Sequence, residues 1–285
     1  MSVVVVHGGC GSPAGGFVRD EESYHDALRA AVAAADAALA GGHGALEAAQ
    51  AAVESLEDAP QFNAGRGSVL TADGAVEMDA SLMSGHDRRS GAVAAVTTIR
   101  HPIALARAVR DHTPHTLLAG PGAERLAAEH GLEQMAPDWF VTERRRQDWW
   151  KARGTVGAVV LDDEGRLAAG TSTGGITGQL PGRVGDTPLI GSGTWADDRV
   201  AVSATGDGEL MMRAAGAHTV AALVEHARLG IDEACRRVVE SIEGDAGLIA
   251  VDRHGNVSLP FNTTAMHRAH RPRDGVTDTA VWATI

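Results

Sequence analysis

Gly154-Thr155-Val156-Gly157-Ala158-Val159-Val160 divides the chain into two differently patterned halves. From residue 157 to 161 the run is continuously apolar, the mark of a strand covered on both faces. Asp162-Asp163-Glu164-Gly165 and a second apolar stretch at 166–170 complete a hairpin. Upstream, residues 133–154 hold three of the five tryptophans, a cluster of arginines and no clear periodicity. They read as a connector, partly helical.

A threonine at such a junction has two readings. It is a β-branched residue opening a strand, or it is a nucleophile. A threonine hydroxyl needs a base within hydrogen-bond reach. If the chain breaks before Thr155, its own α-amino group is that base, since an α-amine titrates at about 7.7–8.0 and is partly neutral at pH 7. The β-methyl group restricts χ1 and holds Oγ in one attacking rotamer. Gly154 tolerates backbone geometries closed to other residues, so strain at the bond can favour its own cleavage.

Working outward, residues 3–6 are all valine and read as a buried strand, followed by the glycine-rich turn His7-Gly8-Gly9-Cys10-Gly11-Ser12. Helices are predicted over 23–39 and 45–56, from Ala, Leu and Val at helical spacing, with Gly41-Gly42 ending the first. Asp73-Gly74 predicts a hairpin of two short strands, 91–98 a strand, 102–111 a helix opened by Pro102, and 124–130 a helix closed by Gly131. Beyond the junction come a strand at 200–205, helices at 209–229 and 232–243, and a third hairpin from 248–251 and 257–259 around His254-Gly255-Asn256. The last fifteen or so residues carry no clear pattern. Hairpins imply antiparallel sheets, and apolar helices must cover their faces. The expected fold is α+β: a single domain over 1–285 with two antiparallel-rich sheets packed together between helical layers.

Composition narrows the function. Aromatics make up only 4% of the chain, so Ala, Val, Leu and Gly fill the core and let layers approach closely. A formal net charge of −12 repels nucleic acid and anionic membranes. Glu143-Arg144-Arg145-Arg146 is flanked by acids and reads as a solvated helix face or linker. No stretch approaches the roughly 20 apolar residues of a membrane span, and the opening run into a strand argues against a signal peptide. Cys10 and Cys235 are too few for a disulfide framework. A cytoplasmic location is expected.

Seven motifs in order carry a resemblance that covers nearly the whole chain. They are His7-Gly8-Gly9-Cys10-Gly11, Phe62-Asn63-Ala64-Gly65-Arg66-Gly67-Ser68, Glu77-Met78-Asp79-Ala80-Ser81-Leu82-Met83, Thr171-Ser172-Thr173-Gly174-Gly175, Leu180-Pro181-Gly182-Arg183-Val184-Gly185-Asp186, Thr205-Gly206-Asp207-Gly208-Glu209 and Leu259-Pro260-Phe261-Asn262-Thr263. Together with the junction they resemble the plant-type asparaginase and isoaspartyl peptidase family of N-terminal-nucleophile hydrolases. The resemblance implies a four-layer αββα sandwich and self-cleavage between Gly154 and Thr155. It implies an α subunit of residues 1–154 and a β subunit of residues 155–285, assembled as a homodimer of such α/β protomers.

The resemblance also implies roles. Thr155 is the nucleophile and Thr173 tunes its hydroxyl and amine. Arg183 grips a substrate α-carboxylate, a task for a planar guanidinium, and Asp186 accepts the α-ammonium; without the resemblance the two read instead as a surface ion pair. Thr205 and Gly206 form the oxyanion hole, with Gly206 and Gly208 allowing close backbone approach to substrate. Asn63, Gly9 and Gly11 support processing. No cofactor is needed for catalysis. A structural sodium ion is implied on the backbone carbonyls of Leu56, Glu57, Ala59, Phe62, Ala64 and Arg66. The substrate is a small zwitterion, asparagine or a β-aspartyl peptide, hydrolysed through a β-aspartyl ester on Thr155. Cys10 stands where the family usually has alanine and reads as a buried inert thiol. Asp207 is shared with the related glycosylasparaginases, which keeps a sugar-linked substrate open, and the connector is shorter than usual.

Three further readings compete. Gly170-Thr171-Ser172-Thr173-Gly174 fits G-x-S-x-G, with Asp245 and His267 completing the chain order of an α/β-hydrolase, but no helix-forming segment follows the elbow. His112, His115, His267 and His270 share a spacing without a supporting carboxylate cluster. The third is a binding homologue that keeps the fold and never matures.

Overall fold

A computed structural model describes residues 2–11, 20–147, 154–273 and 275–283. Ser12 and residues 148–153 of the connector, with Trp149 and Trp150, lie outside the described residues. The first half runs β1 (Val3–Gly11), α1 (Glu21–Ala40), α2 (Ala45–Asp58), β2 (Met78–Ser84), β3 (Ser90–Val96), α3 (Pro102–His112), β4 (Leu117–Ala119), α4 (Gly120–Glu129), α5 (Pro137–Phe140) and α6 (Glu143–Gln147). The second runs β5 (Val156–Leu161), β6 (Leu167–Thr173), β7 (Thr194–Ala196), β8 (Val200–Gly206), α7 (Gly208–Ala214), α8 (Gly216–His226), α9 (Ile231–Ser241), β9 (Ala246–Asp252), β10 (Val257–Ser258), β11 (Ala265–Arg271) and β12 (Asp278–Trp282).

Two sheets result. The larger has the order β12-β11-β1-β5-β6-β2-β3-β4, and the smaller β10-β9-β8-β7. Neighbours are antiparallel except β3 and β4. The continuous apolar strands are explained by their two covered faces. In β1, Val4 and Val6 pack with α1 and α2 residues such as Leu28, Val32, Ala49 and Val53. Val3 and Val5 join Val159, Leu161 and Ala169 against Ala201, Ile249 and Val251 of the smaller sheet. The far face of that sheet, Val202, Ala204 and Leu248, is covered by Ala217, Val220, Ala234 and Val238 of α8 and α9. The mixed α/β architecture with two antiparallel-rich sheets is therefore as expected.

Local chemistry explains the boundaries and several departures. Asp20 caps α1 by accepting from the Ser23 N–H at 3.3 Å, and Pro102 opens α3. Residues 7–11 of the predicted turn are instead the second half of β1, carried through Gly8-Gly9 by a bulge between His7 and Cys10. Asp73-Gly74 makes a tight turn, Thr71 N–H to Ala75 O at 2.8 Å, without flanking strands. The helix expected over 209–229 breaks at Ala215, which adopts a left-handed conformation with φ 45°. Residues 278–282, in the stretch read as patternless, form the edge strand β12, and residues 265–271, not read as a strand, form β11 between it and β1. The 143–146 segment is not a purely solvated face. Arg145 is buried and donates to the Gly67 and Gln61 carbonyls, whereas Arg146 is exposed beside Asp138.

Candidate active site

The strand order β1-β5-β6-β2 sets one end of the larger sheet in register. His7 pairs with Gly157, Val156 with Ser172, and Thr173 with Asp79. Thr155 thus enters β5 beside the glycines of β1 and the last residue of β6. A β-carbon on Gly9 would lie 3.1 Å from Gly154 Cα and 3.3 Å from Thr155 N, so the β1 bulge needs glycine to lie against this peptide bond. Gly11 stands further along β1, opposite Ala265, and is not brought to the cleft.

The Gly154–Thr155 peptide bond is held by two donors. Asn63 Nδ2 reaches the Gly154 carbonyl oxygen at 2.7 Å, and Thr173 Oγ1 reaches it at 3.0 Å. Asn63 is itself fixed, giving Nδ2 also to Gly175 O at 2.7 Å and accepting from Val69 N–H at 2.9 Å. Gly154 has φ 141°, a conformation that L side chains rarely adopt.

Behind the threonine, His7 is fully buried and shares a 2.9 Å hydrogen bond between Nε2 and Ser203 Oγ. Burial holds it neutral, its pKa lowered to about 3 despite a backbone contact with Thr155. Gly157 leaves room for this contact, since a β-carbon there would lie 2.0 Å from Ser203 Oγ. The Ser203 hydroxyl continues to Thr171 at 2.8 Å, and Thr171 to Thr194, stitching the two sheets together.

A small cleft opens over the junction, lined by Gly154, Thr155, Thr173, Gly175, Ile176, Arg183, Asp186, Thr187, Gly206 and Gly208. Eight of these ten residues stand in the motifs quoted above. Gly206 has φ 125°, and a β-carbon there would strike the Asp245 carbonyl at 2.1 Å, so only glycine fits. Thr205 is buried at the end of β8, and its Oγ1 accepts from Cys10 N–H at 3.4 Å.

Arg183 and Asp186 sit at the cleft wall. Glu209 takes the Arg183 Nε and Nη2 protons at 3.0 Å and 2.9 Å, which fixes the plane of the guanidinium. Asp186 Oδ2 is buried with no hydrogen-bond partner among the described residues, as is Thr187 Oγ1. Burial pushes the Asp186 carboxyl up to about 7, Arg183 opposing and Asp79 and Glu209 reinforcing the shift. A buried orphan acceptor in a cleft is suited to a ligand's N–H donors. A β-carbon on Gly208 would lie 2.8 Å from Asp186 Oδ1, so glycine keeps the clamp open.

Ile176, Thr187 and the Glu209 grip on Arg183 were missed by sequence reasoning. Thr187 could have been found as the polar neighbour of Asp186, whereas Ile176 carried no signal. Asp207 does not line the cleft. It accepts from Asp245 N–H at 3.0 Å and closes the 244–245 turn. Cys10 is buried with its thiol pushed up to about 12, chiefly by burial, in keeping with an inert side chain.

The competing sites do not assemble. Ser172, next to last in β6, is fully buried and donates to Glu57 Oε1 at 2.6 Å, and it does not line the cleft. His267 stacks on Tyr24 at 4.5 Å, and His112 stacks on His130 at 4.1 Å. Among the described residues no three of His, Cys, Asp and Glu gather as a metal site, and no helix is long and apolar enough to cross a membrane.

A strand-initial threonine facing a guanidinium and a buried carboxylate is the arrangement of a hydrolase acting on amino-acid amides, and the sequence comparisons agree with that class. The profile of the asparaginase family matches residues 1–153 and 150–281, and the chain belongs to that family. The two matched stretches meet just ahead of the Gly154–Thr155 bond. An isoaspartyl peptidase of Escherichia coli is 43% identical over 94% of this chain and 92% of the relative. An isoaspartyl peptidase/L-asparaginase of Bos taurus is 43% identical over 93% of this chain and 91% of the relative, and one of Rattus norvegicus 41% over 93% and 84%.

Proposed function

We propose that the chain cleaves itself between Gly154 and Thr155 and then hydrolyses the side-chain amide of asparagine and of β-aspartyl dipeptides. The observation that carries this reading is the pair of donors on the Gly154 carbonyl, Asn63 and Thr173, at the bond that precedes the threonine. Thr155 Oγ attacks the Gly154 carbonyl carbon, and the two donors stabilise the oxyanion. The C–N bond breaks, the hydroxyl proton passes to the departing nitrogen, and Gly154 is left as an ester. The Thr155 amine is free at that point, and water then hydrolyses the ester, releasing the Gly154 carboxylate and the Thr155 hydroxyl.

In turnover the freed amine deprotonates Oγ, which attacks the substrate's side-chain carbonyl. Thr205 Oγ and Gly206 N–H take the new oxyanion, and the amine's proton leaves with ammonia or the departing amine. Water then releases aspartate from the β-aspartyl ester. Thr173, no longer bonded to Gly154, turns its hydroxyl to Thr155. Arg183 and Asp186 hold the α-carboxylate and α-ammonium.

The layered packing supports a four-layer αββα sandwich of the N-terminal-nucleophile type in a single domain; by its family membership the chain matures into an α subunit of 1–154 and a β subunit of 155–285, paired as a homodimer. The loop at 56–67 is suited to a structural sodium ion. Its chain is curled tightly enough that a β-carbon on Gly65 would lie 2.4 Å from the Glu57 carbonyl. Carbonyls of Leu56, Glu57 and Ala59 accept one backbone N–H each and keep a second lone pair. With those of Phe62, Ala64 and Arg66 they would hold the ion, outside the reaction.

Ammonia and amine release from asparagine and a β-aspartyl dipeptide test this reading. Loss of both in Thr155→Ala is expected; undiminished release overturns it.

A further inference from the structure

The motif Glu77–Met83 has no part in the reaction just described, yet it borders the substrate clamp. Asp79 lies in β2 opposite Thr173, at the bulge where β2 meets β3. It is buried and its Oδ1 accepts from Ala95 N–H at 2.9 Å, Ala95 being held at φ 51°. The Gly185 backbone amide lies against the same carboxylate. Two residues earlier, Glu77 Oε2 accepts from Gly182 N–H at 2.7 Å. The amides of Gly182 and Gly185 bracket Arg183, and Asp186 follows directly. Gly185 lies flat beneath the guanidinium, its β-carbon position 2.8 Å from Arg183 Nη1.

We propose that Glu77 and Asp79 are positioning residues that clamp the 182–185 turn by its backbone amides, and that Asp79 also sets the pH at which the head-group site becomes competent. The inference rests on the reading of Arg183 and Asp186 as the substrate clamp. Glu77, just ahead of β2, holds Gly182, and Asp79, within β2, lies against Gly185, so the two carboxylates bracket the turn and the guanidinium and the Asp186 carboxylate present themselves together. Burial pushes the Asp79 carboxyl up to about 6, so through the range in which Asp186 ionises it is a negative charge beside that group. The charged groups facing Asp186 are Arg183, Asp79 and Glu209; those facing Asp79 are Arg183 and Glu77. Removing the charge at 79 makes Asp186 easier to ionise, so ammonium binding extends to lower pH. A packing role alone would not move that limb.

The test compares processed wild-type protein with Asp79→Asn and Glu77→Gln, by kcat and KM for a β-aspartyl dipeptide between pH 5.5 and 8.5. Aspartate binding by calorimetry over the same range serves as a readout independent of turnover. Asp79→Asn is expected to raise KM about tenfold at the plateau, leave kcat within about twofold, and move the acid limb of kcat/KM down by about half a pH unit. Glu77→Gln is expected to raise KM about threefold with the limb unmoved. Unchanged KM and limb in Asp79→Asn, or a fall in kcat alone, overturns the proposal. If Asp79→Asn does not fold, Glu77→Gln decides, and wild-type KM there overturns it. Wild-type protein that neither turns over the dipeptide nor binds aspartate refutes the clamp itself, a different failure from equal binding by all three proteins.

Discussion

Asn63 holds the carbonyl oxygen of Gly154 at 2.7 Å through its side-chain amide. The contact joins the 62–68 loop to the peptide bond ninety-one residues away, and its direction matters. The oxygen that would become anionic on attack by Thr155 already faces two donors. Replacing Asn63 by aspartate keeps the size and removes the donor. Asn63→Asp should slow self-cleavage by about 10²–10³-fold, the usual cost of one lost oxyanion donor. A time course of intact chain on denaturing gels checks it, and wild-type rates would remove Asn63 from the step.

Arg183 is engaged on its Nε–Nη2 edge by Glu209, which orients the remaining guanidinium protons toward the cleft. A lysine ammonium has no such plane and cannot serve Glu209 and a substrate carboxylate in the same geometry. Arg183→Lys should raise KM for asparagine by about tenfold or more, with a smaller change in kcat. Steady-state kinetics at saturating substrate separate the two.

Asp186 supplies a pH dependence. Its carboxyl is pushed up to about 7 by burial, and only the anion binds an ammonium. kcat/KM should therefore rise as pH increases through about 7. The stability term has the opposite sign. A carboxyl with a raised folded-state pKa binds more protons in the native state than in the unfolded state between about 4 and about 7, so its contribution falls as pH rises across that window. Asp186→Asn should be inactive and melt higher than wild type at pH 8, by roughly 2–4 °C for each kcal/mol of desolvation relieved. A lower melting temperature would mean that the native anion is not under strain.

Much of this site was legible because its chemistry is carried by particular side chains in fixed company. Thr155 after a glycine, Arg183 three residues before Asp186, and Thr205-Gly206 at a strand end were named through the ordered motifs around them, since each alone reads as ordinary strand-end or surface chemistry. Asn63 was tied to processing by the same company, but its bond to the Gly154 carbonyl was not legible, because an asparagine in a loop does not announce which carbonyl it will meet. Arg145 was misread for a related reason. A guanidinium in an arginine run looks solvated until its partners, here the carbonyls of Gly67 and Gln61, come from a distant loop. In the fold, β1, β5 and β6 were evident from unbroken apolar runs. β11 and β12 were not, because Arg268, His270 and Asp278 interrupt the pattern at a sheet edge. The break at Ala215 had no local signal, since no glycine marks the left-handed residue.

His7 and Ser203 are linked across the two sheets behind Thr155, in a space kept open by Gly157. Ser203→Ala leaves a buried imidazole nitrogen unpaired and should cost about 1–3 kcal/mol. Gly157→Ala forces a methyl group into the contact and should cost at least as much. Urea unfolding measures both, and a neutral Gly157→Ala would show that the sheets separate easily.

The most direct measurement is the intact mass of freshly purified protein, followed during incubation alongside hydrolysis of a β-aspartyl dipeptide. The account predicts two chains, 1–154 and 155–285, the second beginning at Thr155, with activity growing in step with their appearance. A chain that stays whole while hydrolysing the dipeptide at its full rate would contradict it.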